Sequence, residues 1–185
     1  MRLTGGTLGG RILHVPAGAA FRPSTDRVRE SLFNILSQRL DWEGLTVLDL
    51  FAGSGSLGME ALSRGASSAT FVESRREHIL VLRRNLDTLA LTGRCTIEAQ
   101  PVDHFLARNP ARFDLVLADP PYDYSAYPEL LACMIPLLRD EDGIAVLEHR
   151  GGKHSPDLGP WIPFDRREYG TTGISLFHGL NGAKQ

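Results

Sequence analysis

The sequence predicts an α/β fold: a mostly parallel, doubly wound sheet with helices on both faces and an antiparallel edge. Three observations carry that expectation. From Thr46 onward, short apolar runs alternate with amphipathic segments of helical period. A glycine-rich turn directly follows the first of those runs, and the last two runs flank a glycine-rich tetrapeptide suited to a hairpin.

In chain order, the stretch from Arg2 to Pro16 alternates weakly and is broken by paired glycines, which predicts a small hairpin outside the main core. The expected division is therefore an extension over 1–20 and a main domain over 21–185. Thr25 fits an N-cap, and Val28, Leu32, Ile35 and Leu36 recur on one helical face up to about Leu40. Strands are expected near Thr46 to Leu50, Ala69 to Glu73, Cys95 to Glu98, Leu115 to Ala118 and Ile144 to Glu148. Helices are expected near Leu57 to Arg64, Arg75 to Leu91 and Tyr127 to Leu138. Arg166 to Tyr169 and Ile174 to His178 read as the closing hairpin, turning through Gly170-Thr-Thr-Gly173.

The 185 residues suffice for one such domain and not for two. A hydrophobic share of 42% with 23% charged residues excludes a mostly disordered chain. No apolar run approaches the roughly 20 residues of a membrane span, and the N-terminus lacks a signal-peptide core, so a cytoplasmic protein is expected. Cys95 and Cys133 have no CxxC spacing and read as reduced core residues, with no metal site. A net charge of −2 does not mark a nucleic-acid binder. Positive charge is nonetheless concentrated early, in Arg2, Arg11, Arg22, Arg27 and Arg29 against Asp26 and Glu30. An anion site and a solvated arginine face on a helix both remain open there.

The strongest ligand signal is Asp49-Leu-Phe-Ala-Gly-Ser-Gly-Ser-Leu-Gly58, after the first strand and opening into a helix. Its glycines let the backbone approach a ligand, although a glycine turn can also serve only strand–helix packing. Asp49 sharpens the choice. A carboxylate before the turn repels a pyrophosphate and suits an ammonium group, which favours S-adenosylmethionine over a dinucleotide. Phe51, Ala52, Gly53, Ser54 and Gly55 are then cofactor-binding candidates. Glu73, with Ser74 after it, stands about 20 residues beyond the turn, where an acidic side chain accepts ribose hydroxyls.

Asp119-Pro-Pro-Tyr122 follows the apolar run Leu115-Val-Leu-Ala118. An exocyclic amine of a nucleobase is a poor nucleophile because its lone pair is delocalised into the ring. An Asp119 oxygen and the Pro120 carbonyl can hold the two amine hydrogens and turn that lone pair toward a methyl donor. Pro120 and Pro121 stiffen the loop, and Tyr122 offers a stacking face worth about 1–3 kcal/mol. Asp49, Glu73 and Asp119 all end strands of a parallel sheet, so the fold would gather them at one edge.

Asp119-Pro-Pro-Tyr122 with Asp49-x-Phe-Ala-Gly-Ser-Gly55 resembles the RsmD-like family of small-subunit ribosomal RNA guanine-N2 methyltransferases. Gly9-Gly-Arg-Ile-Leu-His-Val-Pro16, Arg22-Pro-Ser-Thr-Asp-Arg-Val-Arg29 with the following Glu-Ser-Leu-Phe-Asn34, Gly53 to Arg64, and Tyr169-Gly170 extend the resemblance over most of the chain. It implies a Rossmann-like class I methyltransferase with a seven-stranded sheet and an N-terminal hairpin. It further implies S-adenosylmethionine as cofactor and, as partner, 16S ribosomal RNA within an assembling subunit; a monomer is expected. Arg22, Thr25, Arg27 and Arg29 would border the cofactor and the RNA backbone, though capping and surface charge explain them equally in form.

One position departs from the pattern. An Asp or Asn is expected four residues before Phe105 to meet the cofactor's adenine amine, and Pro101 stands there instead. Asp103 or Gln100 could replace that contact, and the Val102 amide could reach the ring. The rival readings are an adenine-N6 methyltransferase on DNA or RNA and a non-catalytic module binding S-adenosylmethionine and RNA. A glutamine-modifying enzyme is disfavoured because its motif usually opens with Asn.

Overall fold

The computed structural model describes residues 1–16, 23–108 and 111–179, with residues 23–25 described by their backbone. Seven strands form one sheet: β1 Thr46–Leu50, β2 Ser68–Val72, β3 Cys95–Glu98, β4 Leu115–Ala118, β5 Ile144–Arg150, β6 Asp165–Tyr169 and β7 Thr172–His178. Their order is β3-β2-β1-β4-β5-β7-β6. The first five in this order run parallel, and β7 pairs antiparallel with both β5 and β6. Strand order reverses between β1 and β4, which opens a crevice at their carboxyl ends.

Among the described residues, five α-helices cover the sheet: α1 Pro23–Ser37, α2 Ser56–Arg64, α3 Arg76–Thr88, α4 Val102–Leu106 and α5 Tyr127–Met134. Alternation along β1 shows how two cores arise from one strand. Val47 packs with α1, α2 and α3 through Leu32, Phe33, Met59, Leu62, Leu82 and Leu86. Leu48 and Leu50 face the other way, against Val102 and Phe105 of α4 and Leu130, Leu131 and Met134 of α5. Both faces of the central strands are buried, which is why they read as continuous apolar runs.

Four expectations need correction. Residues 1–16 do not stand off the core: the pairing of Arg2 with Ile12 folds them back, and Leu3 and Leu13 are buried among α1, α2 and α3. The Thr4 N–H and hydroxyl donate to Glu60, and the Leu8 N–H donates to the Ser63 hydroxyl, so polar bonds also fasten the segment to α2. Thr25 is not an N-cap, because α1 begins at Pro23, a residue whose fixed φ suits a first helical position. The short helix α4 is an addition to the expected elements. Finally, Cys133 is exposed on α5 and Cys95 is only half-buried, so neither is a core residue.

Candidate functional site

Asp49 is buried one residue before the end of β1, and its Oδ2 accepts the Gly58 N–H at 2.8 Å. That bond ties the strand to the first turn of α2. Burial pushes the Asp49 carboxyl up to about 8; the Gly58 amide opposes the shift, and the charges of Asp119 and Glu73 add to it. Between strand and helix, Phe51 takes φ 58°, and Gly53 and Gly55 take φ 56° and 82°. A Cβ on Gly55 would lie 2.4 Å from Leu82 Cδ1, so that glycine is demanded by packing. A Cβ on Gly53 would meet nothing nearer than the Phe51 carbonyl oxygen at 3.9 Å, so space is open beside it. Asn85 of α3 steadies the turn by donating to the carbonyls of Ser54 and His14.

Glu73 follows β2 and is buried. Its Oε2 accepts the Gly53 N–H at 2.9 Å, and its Oε1 accepts the N–H groups of Ser74 and Arg75. His78 Nδ1 lies 3.2 Å from Oε2. The carboxylate therefore already anchors the glycine turn, and the ribose hydroxyls expected at Glu73 would share it with Gly53.

Asp119 follows β4. The register sets Leu50 opposite Ala118, so Asp119 comes level with Phe51 at the start of the glycine turn. The two loops also touch, as Phe51 meets Tyr124 edge-on at 5.5 Å and Tyr124 meets Tyr127 at 5.4 Å. Asp119 faces the open crevice, yet the protein around it displaces enough water to raise its carboxyl to about 6. Pro120 is buried, and the Pro121 carbonyl accepts the Tyr124 N–H at 2.9 Å, which closes a tight turn around Tyr122. Tyr122 is exposed, with the Arg150 guanidinium 5.5 Å from its ring centroid.

Sequence reasoning does not single out Glu148, and the structure adds it. Because β4 and β5 pair Ala118 with Leu147, Glu148 comes beside Asp119 across the strands. Burial raises its carboxyl well above the ordinary range, with Asp119 adding to the shift and Arg29 opposing it. The signal is present in outline: two runs of four apolar residues, Leu115 to Ala118 and Ile144 to Leu147, each ending on an acid.

The remaining candidates divide. Val102 provides the first amide of α4, after Pro101, at a helix start where such amides lack intrahelical partners. Gln100 donates its side-chain amide to Glu98. Arg27 is exposed on α1, whereas Arg29 is buried and committed within the protein. Its guanidinium pairs with Asp26 at 2.9 Å, lies 3.6 Å from Glu60, and donates to the Arg2 carbonyl. Arg29 thus joins α1, α2 and the N-terminal segment, so its guanidinium is engaged inside the protein rather than exposed like that of Arg27. Arg22 lies outside the described residues, as does the side chain of Thr25. Among the described residues, no three His, Cys, Asp or Glu side chains are placed to hold a metal ion.

A family model described as Conserved hypothetical protein 95 matches residues 1–178. Ribosomal RNA small subunit methyltransferase D of Escherichia coli (strain K12) is 41% identical over 145 residues, 78% of this chain and 70% of that protein. The chain belongs to the RsmD-like family. YlbH of Bacillus subtilis (strain 168) is 36% identical over 182 residues, covering 96% of this chain and 98% of its own. The solved structure of Escherichia coli yhhF, 34% identical, superposes with a TM-score of 0.83 over 97% of both chains. The fold of this RsmD-like protein is that of class I methyltransferases, and the cofactor of its family is S-adenosylmethionine.

The donor set fits that cofactor. Asp49, Glu73, Asp119 and Glu148 stand at or just past the ends of β1, β2, β4 and β5; burial raises Asp49, Asp119 and Glu148, and repulsion from neighbouring carboxylates adds to the shifts of Asp49 and Glu148. A ligand with an ammonium and a sulfonium relieves that repulsion, whereas a pyrophosphate would worsen it.

Proposed function

We propose that this RsmD-like protein methylates the exocyclic N2 amine of a guanine in 16S ribosomal RNA. The observation that carries the reading is the pair Asp119 and Glu148, neighbours across β4 and β5 at the crevice. Guanine presents its ring N1–H and its N2 amine side by side as donors, and two adjacent carboxyl groups accept from both. Adenine has an acceptor at N1, so it offers this pair one donor group fewer than guanine does.

In this reading Asp49, Glu73, Ser74, Val102 and the turn from Phe51 to Gly55 would hold S-adenosylmethionine, which supplies an electrophilic methyl group when bound. Asp119 and the Pro120 carbonyl orient the amine hydrogens so that the nitrogen lone pair points out of the ring plane. Tyr122 stacks on the extruded base, and extrusion costs a few kcal/mol, least for an unpaired nucleotide. The proton leaves a nitrogen made acidic by alkylation, so Asp119 needs to accept it without being a strong base. Arg27 and Arg22 would meet RNA phosphates, with the protein acting as a monomer on an assembling subunit. No described helix is long and apolar enough to cross a membrane.

Labelled methyl donor is supplied with either bare or protein-assembled small-subunit RNA, and the product nucleoside is identified by mass spectrometry. N2-methylguanosine is expected, more on the assembled particle. N6-methyladenosine would transfer the assignment to an adenine enzyme, and label bound without transfer would favour a non-catalytic module.

A further inference from the structure

Beyond the crevice, the end of β5 and the residues after it form a second polar surface that the chemistry above does not use. Arg150 ends β5, and Gly152–His154 makes a single 3-10 turn carrying Lys153 and His154, both exposed. The turn is held in place, because the Gly151 N–H donates to the Thr171 carbonyl at 2.9 Å. A Cβ on Gly151 would lie 3.0 Å from the Thr172 backbone, so the two segments are closely apposed. Between them and the Asp119 loop lies a cavity of about 240 Å³ lined by Tyr122, Arg150, Gly151, His154 and Thr171.

Charge separates this cavity from its neighbour. A larger one of about 550 Å³ shares Tyr122, Arg150 and His154 but adds Asp123, Glu129 and Asp157, which repel a polyanion. The smaller cavity has no acid in its lining, and its volume is below the range of about 300–1,000 Å³ typical of whole-ligand pockets. It suits a phosphate with part of its sugar. Its position is equally specific. Glu148 and Arg150 are two residues apart on one strand, so they project from the same face of the sheet about 7 Å apart.

We propose that Arg150, with Lys153 and His154, binds the backbone phosphate of a nucleotide adjacent to the target base. The assignment rests on the proposed RNA substrate and deepens it. A chain whose target base is gripped at Asp119 and Glu148 passes Arg150 with its next phosphate, and the guanidinium meets phosphate oxygens in bidentate fashion.

The test measures affinity for a target-bearing fragment of small-subunit RNA across a salt series, with cofactor affinity measured separately by calorimetry. Each phosphate contact contributes about 0.7 to the log–log salt slope on single strands. Arg150→Ala is expected to flatten the slope by about that amount and to weaken RNA binding about tenfold. Cofactor affinity should be unchanged, and Arg150→Lys should recover most of the slope. An unaltered slope and RNA affinity in Arg150→Ala would overturn the proposal, as would loss of cofactor binding in step with RNA binding. Nucleoside analysis of wild-type product keeps the two readings apart, since an Arg150-dependent slope with no methylguanosine supports the phosphate site while removing the guanine assignment.

Discussion

Asp119 and Glu73 lie on the same crevice with different duties, and single substitutions separate them. Glu73 anchors the glycine turn through the Gly53 N–H, whereas Asp119 stands on the neighbouring loop after β4 and faces the crevice. Asp119→Ala should therefore preserve cofactor affinity while lowering kcat about 100-fold or more, the cost of a misplaced amine. Equal loss of both would remove Asp119 from the chemistry. Since its carboxyl is raised to about 6, the accepting form is depleted as pH falls through that value, and turnover should decline there. Glu73→Ala should weaken cofactor binding about tenfold or more in calorimetry, through the lost acceptor and through release of the Gly53 turn. Unchanged affinity would exclude it from the ribose site. The placement of Asp49, Glu73 and Asp119 at strand ends is legible in the sequence because each acid closes or follows an apolar strand. Glu148 follows an apolar run too, but no turn motif comes after it, and its meaning depends on pairing between strands far apart in sequence.

At the level of elements, strand positions are legible where apolar residues cluster between helical segments, and Thr46–Leu50 and Leu115–Ala118 have the bounds that the sequence predicts, as does the half-buried edge strand Cys95–Glu98. The helix α4 is not legible, because five residues are too few to display a helical period. The N-terminal segment escapes for a related reason. Its core contribution rests on Leu3 and Leu13, separated by four glycines and by polar residues, so no periodic pattern betrays their burial. Leu3→Ala tests the corrected placement. A side chain in a loose appendage would cost little, whereas one packed against α1 and α2 should cost about 2–4 kcal/mol in chemical denaturation. The clamp between β5 and β7 offers a second test at this scale. His149 is buried, with Nε2 2.9 Å from the Ser175 hydroxyl, and burial lowers its pKa so that the ring stays neutral. A Cβ on Gly173 would lie 2.3 Å from that ring, so Gly173→Ala should destabilise the protein by about 1–3 kcal/mol.

Across the whole molecule, the sheet places carboxyl groups at or just past the ends of β1, β2, β4 and β5. The consequence is a linkage between protons and cofactor. Asp49 rises from an ordinary 3.8 to about 8, so the folded protein binds more protons than the unfolded chain between those values. Its contribution to stability is present below about pH 4 and is lost as pH climbs toward 8. A cationic ligand reverses this, because it favours the ionised carboxylate and drives the proton off. Binding of S-adenosylmethionine near pH 7 should therefore release on the order of one proton from the protein, read as a heat that varies with the ionisation enthalpy of the buffer. Asp49→Asn provides the control: it retains side-chain shape, removes the titration, and should abolish most of the buffer dependence while weakening affinity. The same comparison cancels any titration of the ligand's own amine. Heats independent of buffer in the wild-type protein, or a Tm gain from cofactor that is equal at pH 6 and pH 8, would mean that Asp49 is not what recognises the donor's positive charge.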